Sequence, residues 1–175
     1  MQFTRHLVML ILASGVVSGE DFSHAVPMLE KGTATYYVVA AVGGQTVDLL
    51  VDTGAGYATL NRNIIALLRH AGVARRTGAI EAVLANGQSV ELPIYTISAL
   101  NLGGCVVKNV EVAQTPPNAR NLLGLSVLRQ TAPFSFSLEP AELRLSHCAA
   151  VVARNEDDAA PVSDQPDLDG ASHSP

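Results

Sequence analysis

Charged residues make up only 15% of this 175-residue chain, which rules out a strongly acidic or basic scaffold. An isoelectric point near 5.4 gives no electrostatic reason to expect nucleic acid. No glycine-rich phosphate loop is present. The five histidines (His6, His24, His70, His147, His173) lack metal-ligand spacing, and no segment repeats internally. There is no cysteine just after the apolar N-terminal run, so a lipoprotein anchor has no attachment point. That run, Leu7 to Ala13, is also shorter than the roughly 20 residues needed to span a bilayer. What is plentiful is apolar side chain, 48% of residues, enough for one core in a chain too short for two large lobes.

The ends differ from the middle. Arg5 and His6, the apolar run and the small residues Val17-Ser18-Gly19 together form a secretory signal pattern over residues 1–19, with an uncleaved anchor as the alternative. The expected location is therefore outside the cytoplasm, periplasmic or secreted, or membrane-tethered if the signal is not cut. Residues 150–175 carry six acids and one base, whereas residues 1–149 hold ten of each. The acidic tail is rich in Asp, Pro, Ser and Gly and poor in large apolar side chains, so it is expected to be disordered. Between these ends, residues 30–149 form the expected domain.

The core is expected to be mostly strand. Thr35–Val42 and Thr46–Val51 are β-branched or apolar and flank Gly43-Gly44-Gln45. Ile80–Leu84 and Val90–Ile94 flank Asn86-Gly87, a strong hairpin signal. Tyr95–Leu102 turns at Gly103-Gly104 into Val106–Val112. Phe134–Leu138 and Glu142–Leu145 close the pattern. Ile64, Ile65, Leu67 and Leu68 have helical spacing over Arg62–His70, with Asn61 as cap and Gly72 as stop. A second short helix spans Leu125–Gln130. The fold class is all-β, a small closed barrel or folded sheet with one or two short helices. Cys105 and Cys148 lie in the exported part, where a disulfide and two buried free thiols both remain open.

The segment with the clearest chemistry is Leu49-Leu50-Val51-Asp52-Thr53-Gly54-Ala55. A carboxylate placed directly after a buried strand is costly without partners or a task. Thr53 adds a hydroxyl, and Gly54 permits a tight turn and close approach. The segment resembles the active-site motif of the aspartic proteases. The hairpin around Ala85-Asn86-Gly87 and the later Leu122-Leu123-Gly124 before a short helix extend that resemblance, over Thr33–Ser146, to the bacterial branch of the retropepsin-like family.

The resemblance implies a single lobe that dimerises, with Asp52 catalytic and Thr53, Gly54 and Ala55 forming the active-site loop. Ala85, Asn86 and Gly87 would be the flap over substrate, and Leu123 and Gly124 would support the loop from behind. One departure is Gly56: many relatives carry a small hydroxyl or acidic residue after the Ala, and this chain has no side chain there. The apolar flap flanks Val83, Leu84 and Val90 suggest apolar substrate side chains.

Peptide hydrolysis by this route needs two carboxylates, one ionised to take a proton from water and one protonated to donate. The chain has a single Asp-Thr-Gly. Asp169-Gly170 lies in the tail, and Asp48 reads as a solvated strand residue. The second carboxylate is therefore expected from a second copy across a two-fold axis. No metal or organic cofactor is expected, and no membrane span once the signal is removed. Other nucleophiles fare poorly. His147 and Cys148 would point to opposite faces of a strand, and Gly124-Leu125-Ser126 lacks the second glycine of a nucleophile elbow. Arg75-Arg76 reads as a solvated loop. The expected function is an aspartic endopeptidase acting on peptide or protein substrates on the acid side of neutral. The alternative is a catalytically weak dimeric peptide-binding or scaffold protein of the same fold.

Overall fold

A computed structural model describes residues 22–148. The signal segment, the acidic tail and Asp169-Gly170 lie outside the described residues.

Two hairpins and a helix form where local sequence demands them. β3 (Tyr36–Val42) and β4 (Gln45–Val51) pair antiparallel around Gly43 and Gly44, both at positive φ. Val38, Ala40 and Val42 alternate into the core, as do Val47 and Leu49. Each fully buried Val or Leu contributes about 1.5–3 kcal/mol relative to exposure. The last two residues of β4, Leu50 and Val51, are only half-buried. Helix α1 (Arg62–His70) starts at Asn61, whose side chain accepts from the backbone N–H groups of Asn63 and Ile64 at 3.1 Å. It buries Ile65 and Leu68 and leaves Leu67 half-exposed.

β2 (Leu29–Glu30), paired antiparallel with β3, and strands β5 (Ala58–Asn61), β6 (Ala74–Val83), β7 (Ser89–Leu102), β8 (Cys105–Thr115) and β9 (Leu122–Leu123) complete the main sheet. The pairings run β3–β4–β9–β5–β8–β7 and return from β7 to β3 through Ala40 opposite Leu102, which closes a six-stranded barrel. The chain is thus mostly β, a small closed barrel with two short helices, as its sequence suggests. Helix α2 (Leu125–Leu128) runs on as a 3-10 turn through Thr131.

Several details differ from the sequence-based expectations. β7 is one continuous strand where two were expected. Pro93 falls where β7 has only β6 beside it, so the missing N–H breaks no second ladder. β6 begins at Ala74 rather than Ile80, which places Arg75 and Arg76 on a strand, still exposed, rather than in a loop. A strand ahead of residue 30, β1 (His24–Pro27), pairs with β11 (Ala141–Leu145), and β11 pairs with β10 (Phe134–Leu138). This three-stranded sheet packs Val26, Leu143 and Leu145 into the core, so the fold includes residues ahead of position 30. Cys105 and Cys148 are bonded, with a Cα–Cα distance of 4.8 Å, which fastens the chain beyond β11 to the β7–β8 turn.

Candidate active site

β4 ends at Val51 and delivers Asp52 into a loop that returns to the barrel as β5. β9 lies between these two strands, parallel to β4 (Leu50 opposite Leu122) and antiparallel to β5 (Thr59 opposite Leu122). It therefore locks both ends of the loop. The backbone N–H of Asp52 donates to the carbonyl of Leu123 at 3.1 Å, and that of Leu125 donates to the carbonyl of Ala55 at 2.8 Å. Leu123 is fully buried behind the loop.

Within the loop, Asp52 Oδ1 accepts from the Gly54 N–H at 2.9 Å, a local side-chain turn that fixes the carboxylate orientation. A Cβ on Gly54 would stand 3.2 Å from that same oxygen. Thr53 is exposed, and its hydroxyl makes no hydrogen bond to the described residues. Gly56 is exposed with open space around it, so no packing demand excludes a side chain there.

Asp52 is half-buried at the edge of a cleft of about 300 Å³. Met28, Tyr36 and Phe136 give the cleft apolar walls, Thr35 and Thr53 add hydroxyls, and among the described residues Asp52 is the only acid lining it. Asp48 lies further back on β4, exposed and paired with Lys31, whose ammonium also stands 5.1 Å from the Tyr37 ring centre. It belongs to the surface and not to the cleft.

Beyond Ile94, β7 leaves β8 and pairs only with β6, so the stretch from Ala79 through Pro93 projects as a two-stranded hairpin. Leu84 and Gln88 close its tip: the Leu84 N–H donates to the Gln88 carbonyl at 2.8 Å. The Asn86 side chain caps the turn through the Gln88 N–H at 3.0 Å, and Gly87 takes φ +81°. Ala85, Asn86 and Gly87 are exposed at this tip, flanked by the exposed apolar residues Val83 and Leu84.

Sequence reasoning missed several supporting residues. The Ser126 hydroxyl accepts from the Ala58 N–H at 2.9 Å and donates to the Glu111 carbonyl at 2.7 Å, so it ties the loop exit to β8. Asn121 Oδ1 accepts from the Asn61 N–H at 2.8 Å. The buried Thr59 hydroxyl accepts from Leu122 N–H at 3.1 Å. Phe136, which walls the cleft, was also not singled out. A Ser that reaches a backbone N–H 68 residues away, or an Asn that reaches one 60 away, carries no local signal. Cys148 is disulfide-bonded, so it supplies no thiol nucleophile. Among the described residues no group of His, Cys, Asp and Glu is arranged to hold a metal ion, and no helix is long and apolar enough to cross a membrane.

A loop carrying Asp-Thr-Gly, braced by a strand inserted between its two ends and accompanied by a projecting hairpin, defines an aspartic-protease-type lobe. Residues 38–130, over half of the chain, match the family described as "gag-polyprotein putative aspartyl protease". The chain belongs to this retropepsin-like aspartyl protease family. Its fold is similar to the crystal structure of a retropepsin-like aspartic protease from Rickettsia conorii. The two are 22% identical, the match covers 73% of this chain and 94% of that one, and the TM-score is 0.55. No curated protein matches the sequence.

Proposed function

We propose that the protein is an exported aspartic endopeptidase that acts as a homodimer and hydrolyses peptide bonds between two Asp52 carboxylates. The observation that carries this is a carboxylate oriented by Gly54, held in place through Leu123, and standing as the only acid in its cleft among the described residues. One such group cannot both accept and donate a proton in the same step, so a second Asp52 completes the site across a two-fold axis.

In the pair, the ionised carboxylate takes a proton from water, whose oxygen attacks the peptide carbonyl carbon. The protonated partner donates toward the carbonyl oxygen, and the C–N bond then breaks as the nitrogen gains a proton. Two adjacent carboxylates share one proton and titrate as a unit. Ala85, Asn86 and Gly87 would close over an extended substrate, which main-chain hydrogen bonds would hold in strand-like form. The N-terminal pattern over residues 1–19 supports export.

A second reading, a weak or inactive peptide-binding dimer, rests on Gly56, where the open space beside the loop carries no side chain to contact a substrate. Cleavage of a peptide library from about pH 3 to 8 by the wild type and by Asp52→Asn separates the two. Hydrolysis on the acid side of neutral that disappears in the variant supports the protease. Two folded dimers that bind peptides and cut none support the binding module.

A further inference from the structure

We propose that the acidic C-terminal segment docks on a cationic groove at the root of the flap hairpin. Residues 53–80 contain four arginines and no acidic residue. Three of these, Arg69, Arg75 and Arg76, line one groove of about 510 Å³ together with His70, between the last turn of α1 and the start of β6. All four side chains are exposed, and none forms an ion pair with the described residues. No acid lies on α1, on residues 71–80 or on residues 92–102 of β7. In register, the first carboxylate met from Arg75 is Glu111, two strands away through Thr96. Among the described residues the groove therefore gathers positive charge without compensation.

The complementary charge lies in the same chain. Residues 155–175 hold Glu156, Asp157, Asp158, Asp164, Asp167 and Asp169 and no lysine or arginine. This segment follows Cys148, which is fixed to Cys105. Cys105 faces Leu102 on β7, and Arg75 faces Thr96 six residues along the same strand. Strand rise and spacing put Arg75 roughly 20–25 Å from Cys105. Glu156 is eight residues past Cys148, and eight extended residues span up to about 26–29 Å, so the first three acids reach the groove. Tethering on so short a link gives an effective concentration in the millimolar range. Arg–carboxylate contacts that would be weak between separate molecules are then sufficient, and salt screens them. The contact falls on β6, the strand that continues into the flap.

The test is ¹H–¹⁵N spectroscopy of the full chain, following the arginine Nε–H signals and the amides of residues 156–158. Neutralising the six acids (Asp→Asn, Glu→Gln) is expected to shift the signals of Arg69, Arg75 and Arg76. The double variant Arg75→Gln/Arg76→Gln is expected to shift the tail amides, Arg75→Lys/Arg76→Lys to restore most of the contact, and about 0.5 M NaCl to reproduce the loss. A heparin oligosaccharide is expected to bind the acid-neutralised chain at least about fivefold more tightly, because the groove is then open. Arginine signals indifferent to the tail acids overturn the proposal. Equal heparin affinity overturns it in favour of an external polyanion. Shifts that grow with protein concentration overturn it in favour of the tail of a second copy.

Discussion

A Cβ placed on Gly124 would stand 2.2 Å from the carbonyl oxygen of Tyr57 and 2.8 Å from that of Ala55. Gly124 thus lets the chain leaving β9 lie directly against the backbone of the loop that carries Asp52. The clash is with backbone, which has no side-chain rotamer to move, so the loop or the first turn of α2 must shift. Gly124→Ala is expected to destabilise the protein by about 3 kcal/mol, at the upper end of the range for overpacked buried sites. It should also lower peptide hydrolysis beyond the loss explained by unfolding. Denaturant titration and hydrolysis rates on the same preparation check both. Unchanged values would mean that the loop has room it does not show.

Phe136 is 56% exposed and Leu138 54%, both on β10, an edge strand of the three-stranded sheet. Phe136 also walls the Asp52 cleft, so the apolar surface and the incomplete site adjoin. If a second copy completes the site, this surface is expected to be covered in the dimer. Phe136→Asp should then shift sedimentation from dimer to monomer and abolish hydrolysis. Its far-UV circular dichroism should stay unchanged, because an exposed side chain contributes little to the monomer fold. A dimer that persists at micromolar concentration with full activity would place the interface elsewhere.

The parts of the fold legible in sequence are those with local causes. Asn61 and the spacing of Ile64, Ile65 and Leu68 set the bounds of α1, and Gly43-Gly44 and Asn86-Gly87 mark the two hairpins. Asp52 was legible because a carboxylate at the end of an apolar strand is costly without a purpose. The elements that escaped detection depend on distant partners. β9 has only two residues and exists because Leu122 meets both Leu50 and Thr59. β5 is buried along most of its length, so it shows no alternation. β1 depends on β11, over 110 residues away, and nothing in His24–Pro27 announces that pairing. Charge segregation was visible in the tail, but its counterpart appeared only when α1 and β6 brought Arg69 beside Arg75 and Arg76.

The Cys105–Cys148 bond closes a loop with a sequence separation of 43 residues. In the chain-entropy treatment a loop of this size is worth about 4 kcal/mol, with typical measured values of about 2–4 kcal/mol. Cys105 is fully buried, so a Cys105→Ser/Cys148→Ser pair would add the burial of a hydroxyl. Cys105→Ala/Cys148→Ala is the cleaner test. It is expected to lower unfolding free energy by about 2–4 kcal/mol under oxidising conditions and to make stability insensitive to reductant. Wild-type stability that does not change on reduction would show that β11 is held by its pairing with β1 and β10 alone.

Gly87 tests the flap separately from the core. It sits at φ +81° with open space around it, so an added methyl meets nothing but must adopt a left-handed backbone that costs about 1–2 kcal/mol outside glycine. Beyond Ala79 and Pro93 the hairpin pairs with no other strand, so that cost falls on the hairpin and not on the barrel. Gly87→Ala is therefore expected to leave the global melting temperature within a degree or two while speeding amide exchange at Leu84 and Gly87, whose N–H groups close the tip. If the hairpin closes over substrate, kcat/KM should fall several-fold with it. Faster exchange with unchanged hydrolysis would separate the hairpin from catalysis. A large drop in melting temperature would show that the tip is coupled to the core more tightly than its pairing indicates.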